Sequence, residues 1–183
     1  LAIRGGVIKG GSSVSVSGDV SSQFISALML IAPSLPGGLI INLSGTVVSA
    51  PYIAMTAGVM RQCGAEAEIS ENAVRVAGKP YTPPVDGLCV EADWSSAAFW
   101  YEVAALSEEA EVILTGLNLN SLQGDAMVAG IFEKLGVATT ETHEGILLKK
   151  CRTRPDGCFI QDFTSCPDLA QAVAVTCAGL NIP

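Results

Sequence analysis

Val14-Ser15-Val16-Ser17-Gly18-Asp19-Val20-Ser21-Ser22-Gln23-Phe24-Ile25-Ser26-Ala27-Leu28 contains a strand, a turn and a helix start in one short run. Val14 to Ser17 alternates apolar and polar residues, the period of a half-buried strand. Gly18-Asp19-Val20-Ser21 supplies turn chemistry and a capping residue. Ser22 to Ala32 then reads as a helix, apolar nearly all round, and such a helix is predicted to lie in the interior. Pro33 to Gly38 breaks it, and Leu39 to Leu43 returns as a strand. Ser49-Ala50-Pro51 opens a second helix, with Ser49 as N-cap and Pro51 in the first turn. That helix runs to Cys63 and stops at Gly64. Two strands follow, Ala65 to Ser70 and Ala73 to Ala77, joined by a turn at Glu71-Asn72.

The same order recurs further along. Asp19-Val20-Ser21-Ser22 returns as Asp93-Trp94-Ser95-Ser96, 74 positions later. Met60 to Gly64 returns as Phe132 to Gly136, and Ala73 to Val76 as Gly145 to Leu148, each 72 positions later. A repeat of this length organises the whole chain. The second unit is predicted as Leu88–Ala92, Ser95–Leu106, Glu111–Thr115, Asp125–Leu135, Val137–Thr142 and Ile146–Lys150. A third unit starts near Phe159 and is expected to break off inside its first helix. The fold class is therefore α/β, with repeated β-α-β-α-β-β units, buried helices and outer mixed sheets. Lys79-Pro80-Tyr81-Thr82-Pro83-Pro84 interrupts the pattern and marks a hinge. Residues 1–87 are assigned to one domain and 88–183 to the next.

Composition narrows the class of function. The 183 residues are 49% hydrophobic and 15% charged, which fits a packed globular chain rather than a disordered one. The net charge of −8, without any Lys/Arg run, argues against nucleic acid and anionic membrane as partners. The apolar stretch from Phe24 to Pro33 is too short to span a bilayer. Cys63, Cys89, Cys151, Cys158, Cys166 and Cys177 form no CxxC pair, and His143 is the single histidine, so no metal site is expected. The cysteines read as reduced thiols, consistent with a cytoplasmic location. Leu1-Ala2-Ile3-Arg4-Gly5-Gly6 lacks the order of a signal peptide. Both it and Gly179-Leu180-Asn181-Ile182-Pro183 read as cuts through a longer protein.

Chemistry-bearing residues cluster at the predicted helix starts. Ser21, Ser22 and Gln23 bring hydroxyls, an amide and unpaired backbone N–H groups to a helix N-terminus, a ready anion site. A serine there also serves as a plain N-cap without any ligand. Ser49 and Tyr52 repeat the choice at the next helix. Asp168, after Pro167, opens the third unit's helix, as a cap or as a general base. Glu91 and Asp93 are two apart and could pair as carboxylates, but a structural role is the better reading because no cation or acid/base partner is apparent. His143 falls in a predicted turn as a solvated residue.

These segments resemble a known family. Ser17-Gly18-Asp19-Val20-Ser21-Ser22-Gln23-Phe24-Ile25-Ser26-Ala27-Leu28 is similar to the S-G-x-V-S-S-Q-F-x-[ST]-A-L segment of 5-enolpyruvylshikimate-3-phosphate synthases. Val48-Ser49-Ala50-Pro51-Tyr52-Ile53 resembles their V-S-x-P-Y-I, and Val90-Glu91-Ala92-Asp93-Trp94-Ser95-Ser96-Ala97 their V-E-[GA]-D-x-S-S-A. Asn118 through Gln123-Gly124-Asp125 matches N-S-x-Q-G-D, and Cys166-Pro167-Asp168 resembles P-D-[AL]. The order is preserved over nearly the whole chain.

The resemblance implies a two-domain fold with helices inside and sheets outside. It implies transfer of the enolpyruvyl group of phosphoenolpyruvate to the 5-hydroxyl of shikimate 3-phosphate, by addition and elimination, without a cofactor. It assigns shikimate 3-phosphate binding to Ser21, Ser22, Gln23, Ser49, Tyr52 and Asp168, with Gln23 also reaching phosphoenolpyruvate and Asp168 taking the hydroxyl proton. The parent is implied to be a monomeric enzyme. The family's N-terminal Lys-Ser-Arg cluster, its Arg-bearing loops and its C-terminal Arg and Lys residues have no counterparts here. Isolated, this segment is therefore expected to be inactive. The related UDP-N-acetylglucosamine enolpyruvyl transferase lacks the S-S-Q-F and S-x-P-Y pairing. A non-catalytic anion-binding module or scaffold is the other alternative.

Overall fold

The computed structural model describes residues 2, 11–19, 21–153, 155 and 157–183. The expectation for the opening residues, apart from Ala2, and the place of Val20 in its turn fall outside the described residues. The chain divides into two compact units, Leu1–Cys89 and Val90–Pro183.

The first unit contains β1 (Ser12–Ser17), α1 (Ser22–Ile31), a 3-10 turn (Ala32–Ser34), β2 (Leu39–Ser44), α2 (Ala50–Gln62), β3 (Ala67–Ser70) and β4 (Ala73–Val76). Its sheet runs β1-β2-β4-β3. β1 is parallel to β2, while β4 is antiparallel to both β2 and β3. The inner face of β2 carries Leu39, Ile41 and Leu43, two apart as the pleat requires. Ile25 and Met29 from α1, and Ile53, Ala57 and Met60 from α2, pack with them in one core. The three-and-four spacing puts each set on one stripe of its helix. α2 ends as its sequence suggests. Gly64 is left-handed (φ 80°). Its N–H bonds to Arg61 O and that of Ala65 to Met60 O, a helix stop that satisfies the last carbonyls.

α1 departs from the expected interior helix. Ile25 and Met29 are fully buried, yet Phe24 is 66% exposed and Leu30 51%. The core of the unit reaches one side of α1, and the residues on its other side keep their apolar surface open. The helix is apolar nearly all round, but its fully buried residues lie on one stripe within the described residues.

The second unit contains α3 (Trp94–Leu106), β5 (Glu111–Thr115), a 3-10 turn (Gly124–Met127), α4 (Val128–Glu133), β6 (Val137–Glu141), β7 (Gly145–Lys150) and α5 (Leu169–Leu180). Its sheet is β5-β7-β6, antiparallel throughout. Trp94 and Tyr101 of α3, Phe132 of α4, Ile146 and Leu148 of β7 and Leu169 of α5 share one core. Among the described residues, the predicted strand Leu88–Ala92 does not form, nor does one near Phe159. Val90 is 91% exposed, so the first of these segments has no layer to bury against. The predicted helix 125–135 begins instead as the 3-10 turn, and α4 is correspondingly short. α5 ends at Leu180, followed by Asn181 in the left-handed region (φ 55°), and Ile182 N–H bonds to Cys177 O.

Candidate functional site

Two parallel neighbouring strands end at the same edge of their sheet. β1 and β2 are in register to their last residues, Ser17 opposite Ser44. Each is followed by a short turn and a helix, so α1 and α2 both start from that edge. The turns are joined to each other. Gly18 N–H donates to Ser44 O at 2.7 Å, and Val48 N–H donates to Gly18 O at 3.1 Å. Gly18 is buried, and a Cβ there would lie 2.9 Å from both Thr46 O and Val47 Cγ2. The absence of a side chain lets the turns meet this closely. A crevice beyond the carboxyl ends of parallel strands is a recurrent place for ligands in α/β folds.

Ser21 occupies the N-cap of α1, and its hydroxyl accepts from Gln23 N–H at 3.4 Å. Phe24 N–H bonds to Ser21 O at 3.1 Å. Ser21 and Gln23 are exposed and Ser22 is half-buried. The Ser-Ser-Gln turn therefore faces outward, with the positive end of the helix dipole beneath it.

Ser49 differs from the expected cap. It occupies the position before α2, but in the left-handed region (φ 59°, ψ 37°), and its hydroxyl makes no capping bond. A non-glycine residue held there is strained by roughly 1 kcal/mol or more. Pro51 in the first turn contributes no N–H. This helix start consequently offers fewer backbone donors than α1, and a side-chain hydroxyl in their place. Tyr52 follows, half-buried, its N–H bonded to Ser49 O at 3.0 Å. Of the described cations in this unit, Arg61 lies in the last turn of α2, Arg75 on β4, and Lys79 pairs with Glu66 at 2.8 Å.

Asp168 belongs to the second unit. It precedes α5, is exposed, and its carboxylate makes no capping hydrogen bond. Asp93 behaves differently. It accepts from Ser95 N–H at 2.9 Å and from Ser96 Oγ at 2.5 Å. The Ser96 hydroxyl, with smaller help from the backbone, holds its carboxyl below the usual carboxylate range. Glu91 and Asp93 engage separate partners. Glu91 accepts from Trp94 Nε1 at 3.2 Å, Asn118 Nδ2 at 3.0 Å, Ser121 Oγ at 2.6 Å and Gln123 Nε2 at 3.1 Å. The V-E-A-D and N-S-L-Q segments thus lock together around one carboxylate. His143 is 90% exposed and lies 3.4 Å from Glu144.

Sequence reading missed two features. One is the junction at Gly18. The other is a contact between helices, Ser26 Oγ to Thr56 Oγ1 at 2.9 Å. Gly18 and Ser26 lie inside the motif quoted above, but nothing local identifies their distant partners. Among the described residues, no group of three or more His, Cys, Asp and Glu is arranged to hold a metal ion. No helix among them is long and apolar enough to cross a membrane.

Known proteins resemble this chain in sequence and in fold. A family model described as EPSP synthase (3-phosphoshikimate 1-carboxyvinyltransferase) matches residues 1–181. The chain is 47% identical over 179 residues to the 3-phosphoshikimate 1-carboxyvinyltransferase of Bacteroides fragilis, covering 94% of this chain and 42% of that protein. It is 35% identical to the enzyme of the same name from Vibrio atlanticus, covering 96% of this chain and 40% of that protein. The solved EPSP synthase of Acinetobacter baumannii matches 93% of this chain and 38% of its own, with a TM-score of 0.67 and 20% identity, a likeness of fold. The chain spans about two fifths of the length of the curated relatives it matches. Its ordered motifs, its mixed α/β fold and the family match over residues 1–181 together make it a member of the EPSP synthase family.

Proposed function

We propose that this chain supplies the shikimate 3-phosphate side of an EPSP synthase active site. One observation carries the reading: the parallel β1–β2 pair starts α1 and α2 from one edge, where the family's S-S-Q and S-x-P-Y residues fall. Ser21, Ser22 and Gln23 then offer N–H, hydroxyl and amide donors to the anionic substrate from one helix. Ser49 and Tyr52 offer hydroxyls from the other. The strained Ser49 is consistent with this role, because a residue kept in a costly conformation is commonly one whose position matters to a ligand.

In the whole protein, phosphoenolpyruvate donates its enolpyruvyl group to the 5-hydroxyl of shikimate 3-phosphate. The hydroxyl oxygen adds to the enol carbon while the neighbouring methylene carbon takes up a proton. Phosphate then leaves from the tetrahedral intermediate as the new methyl group loses a proton, which restores the double bond. Asp168 takes the hydroxyl proton, and Gln23 reaches the donor. Residues 1–87 belong to the first domain and 88–183 to the second. The enzyme acts in the cytoplasm as a monomer, without nucleic acid or membrane as partner. Alone, the chain does not turn over. A multiply charged donor is costly to desolvate without paired cations, and the chain carries 10 Lys and Arg against 18 Asp and Glu.

Isothermal titration of the chain with shikimate 3-phosphate, and with shikimate as control, tests the reading. Binding of the phosphate ester with little response to shikimate supports it. Indifference to both overturns it and leaves the scaffold alternative.

A further inference from the structure

We infer that Thr56 and Ser26 are positioning residues that fix how far apart the two substrate-binding helix starts stand; this rests on the functional reading above. A threonine hydroxyl has one proton to give. Thr56 donates it to Tyr52 O at 2.8 Å. The 2.9 Å contact between Ser26 Oγ and Thr56 Oγ1 must then be a bond donated by Ser26. The result is a directed relay from Ser26 of α1, through Thr56 of α2, to the carbonyl of Tyr52.

The placement of the relay gives it a function. Residues four apart on a helix share one face. Ser26 is therefore one turn below Ser22, and Thr56 one turn below Tyr52. A bond between the lower pair turns the stripes bearing the upper pair toward each other. The relay is partly buried, where a hydrogen bond holds geometry better than at an exposed position. A threonine bonded to the carbonyl four residues back also tends to bend its helix locally. The bend here would fall in the turn carrying Tyr52. The relay touches no substrate itself. It sets the gap that shikimate 3-phosphate must bridge.

The test uses the whole chain and titration with shikimate 3-phosphate. Thr56→Val keeps the shape and removes the relay. The expected result is affinity about fivefold to tenfold weaker, the scale of one lost hydrogen bond, with the circular dichroism spectrum unchanged. Thr56→Ser should restore binding to within about twofold of the original, because it returns the hydroxyl. Ser26→Ala should weaken binding as Thr56→Val does, and the double variant no further than either alone. Ser26→Ala also serves as the readout should Thr56→Val fail to fold. Folded single variants that bind as tightly as the unaltered chain overturn the proposal, as does a Thr56→Ser variant no better than Thr56→Val. If the unaltered chain itself does not bind, the functional reading falls and this proposal falls with it.

Discussion

Ser49 and Gly18 are constrained for opposite reasons, and substitution should expose each. Ser49 keeps a side chain in a left-handed conformation that glycine enters at no steric cost. Ser49→Gly is expected to raise stability by up to about 1 kcal/mol while weakening binding of shikimate 3-phosphate. Thermal melting and titration of the same sample check both directions. Gly18 leaves out a side chain for which there is no room: Thr46 O would be 2.9 Å from the new Cβ. A backbone oxygen held in a turn yields poorly. Gly18→Ala should cost about 1–3 kcal/mol in urea denaturation and loosen both helix starts. Asp93 carries a pH signature. Its folded pKa lies below the unfolded value of about 4, chiefly through the Ser96 hydroxyl. The stability it contributes is therefore fully present above about pH 4 and disappears as pH falls through the folded pKa. Asp93→Ala should cost about 1 kcal/mol at neutral pH, as for a lost N-cap. The gap between variant and original should close as denaturation curves are taken toward acid.

At the scale of elements, the sequence is most legible where local chemistry decides the outcome. The start of α1 follows from its cap Ser21 and that of α2 from Pro51, although Ser49 makes no capping bond; Gly64 ends α2. Elements that need a partner were harder to read. Leu88–Ala92 has strand composition but pairs with no strand among the described residues; Ala92 N–H donates to Gly116 O at 3.1 Å without starting a ladder. No pattern within that segment could show this. The composition of α1 predicts an interior helix, but it does not show which stripe the core of the unit covers, and Phe24 and Leu30 stay exposed. Ser26 and Thr56 are 30 positions apart, and Glu91 joins donors from Trp94 to Gln123. Such joints depend on tertiary placement rather than period or propensity. Glu91 bears the larger share of order in its region. Glu91→Ala would leave four donors seeking partners, and should cost about 2 kcal/mol or more. Faster amide exchange across residues 117–123, with α5 unaffected, would distinguish local loosening from global loss.

At the scale of the molecule, the proposed site residues divide between the two units. Ser21, Ser22, Gln23, Ser49 and Tyr52 belong to Leu1–Cys89, and Asp168 to Val90–Pro183. On that proposal, binding and turnover are expected to be separable. On the proposed reading, the first unit is expected to recognise the phosphate ester with its own helix starts. A coupled phosphate-release assay on this chain alone, with both substrates, should give no signal above the uncatalysed rate. The central claim is that one ligand bridges the starts of α1 and α2. It is tested most directly by a nitrogen-15 amide titration of the chain with shikimate 3-phosphate. The account predicts saturable shifts that include Ser21, Ser22, Gln23, Ser49 and Tyr52 and follow one common affinity. Shifts confined to one helix start, or absent from both while the ligand binds elsewhere, would contradict it.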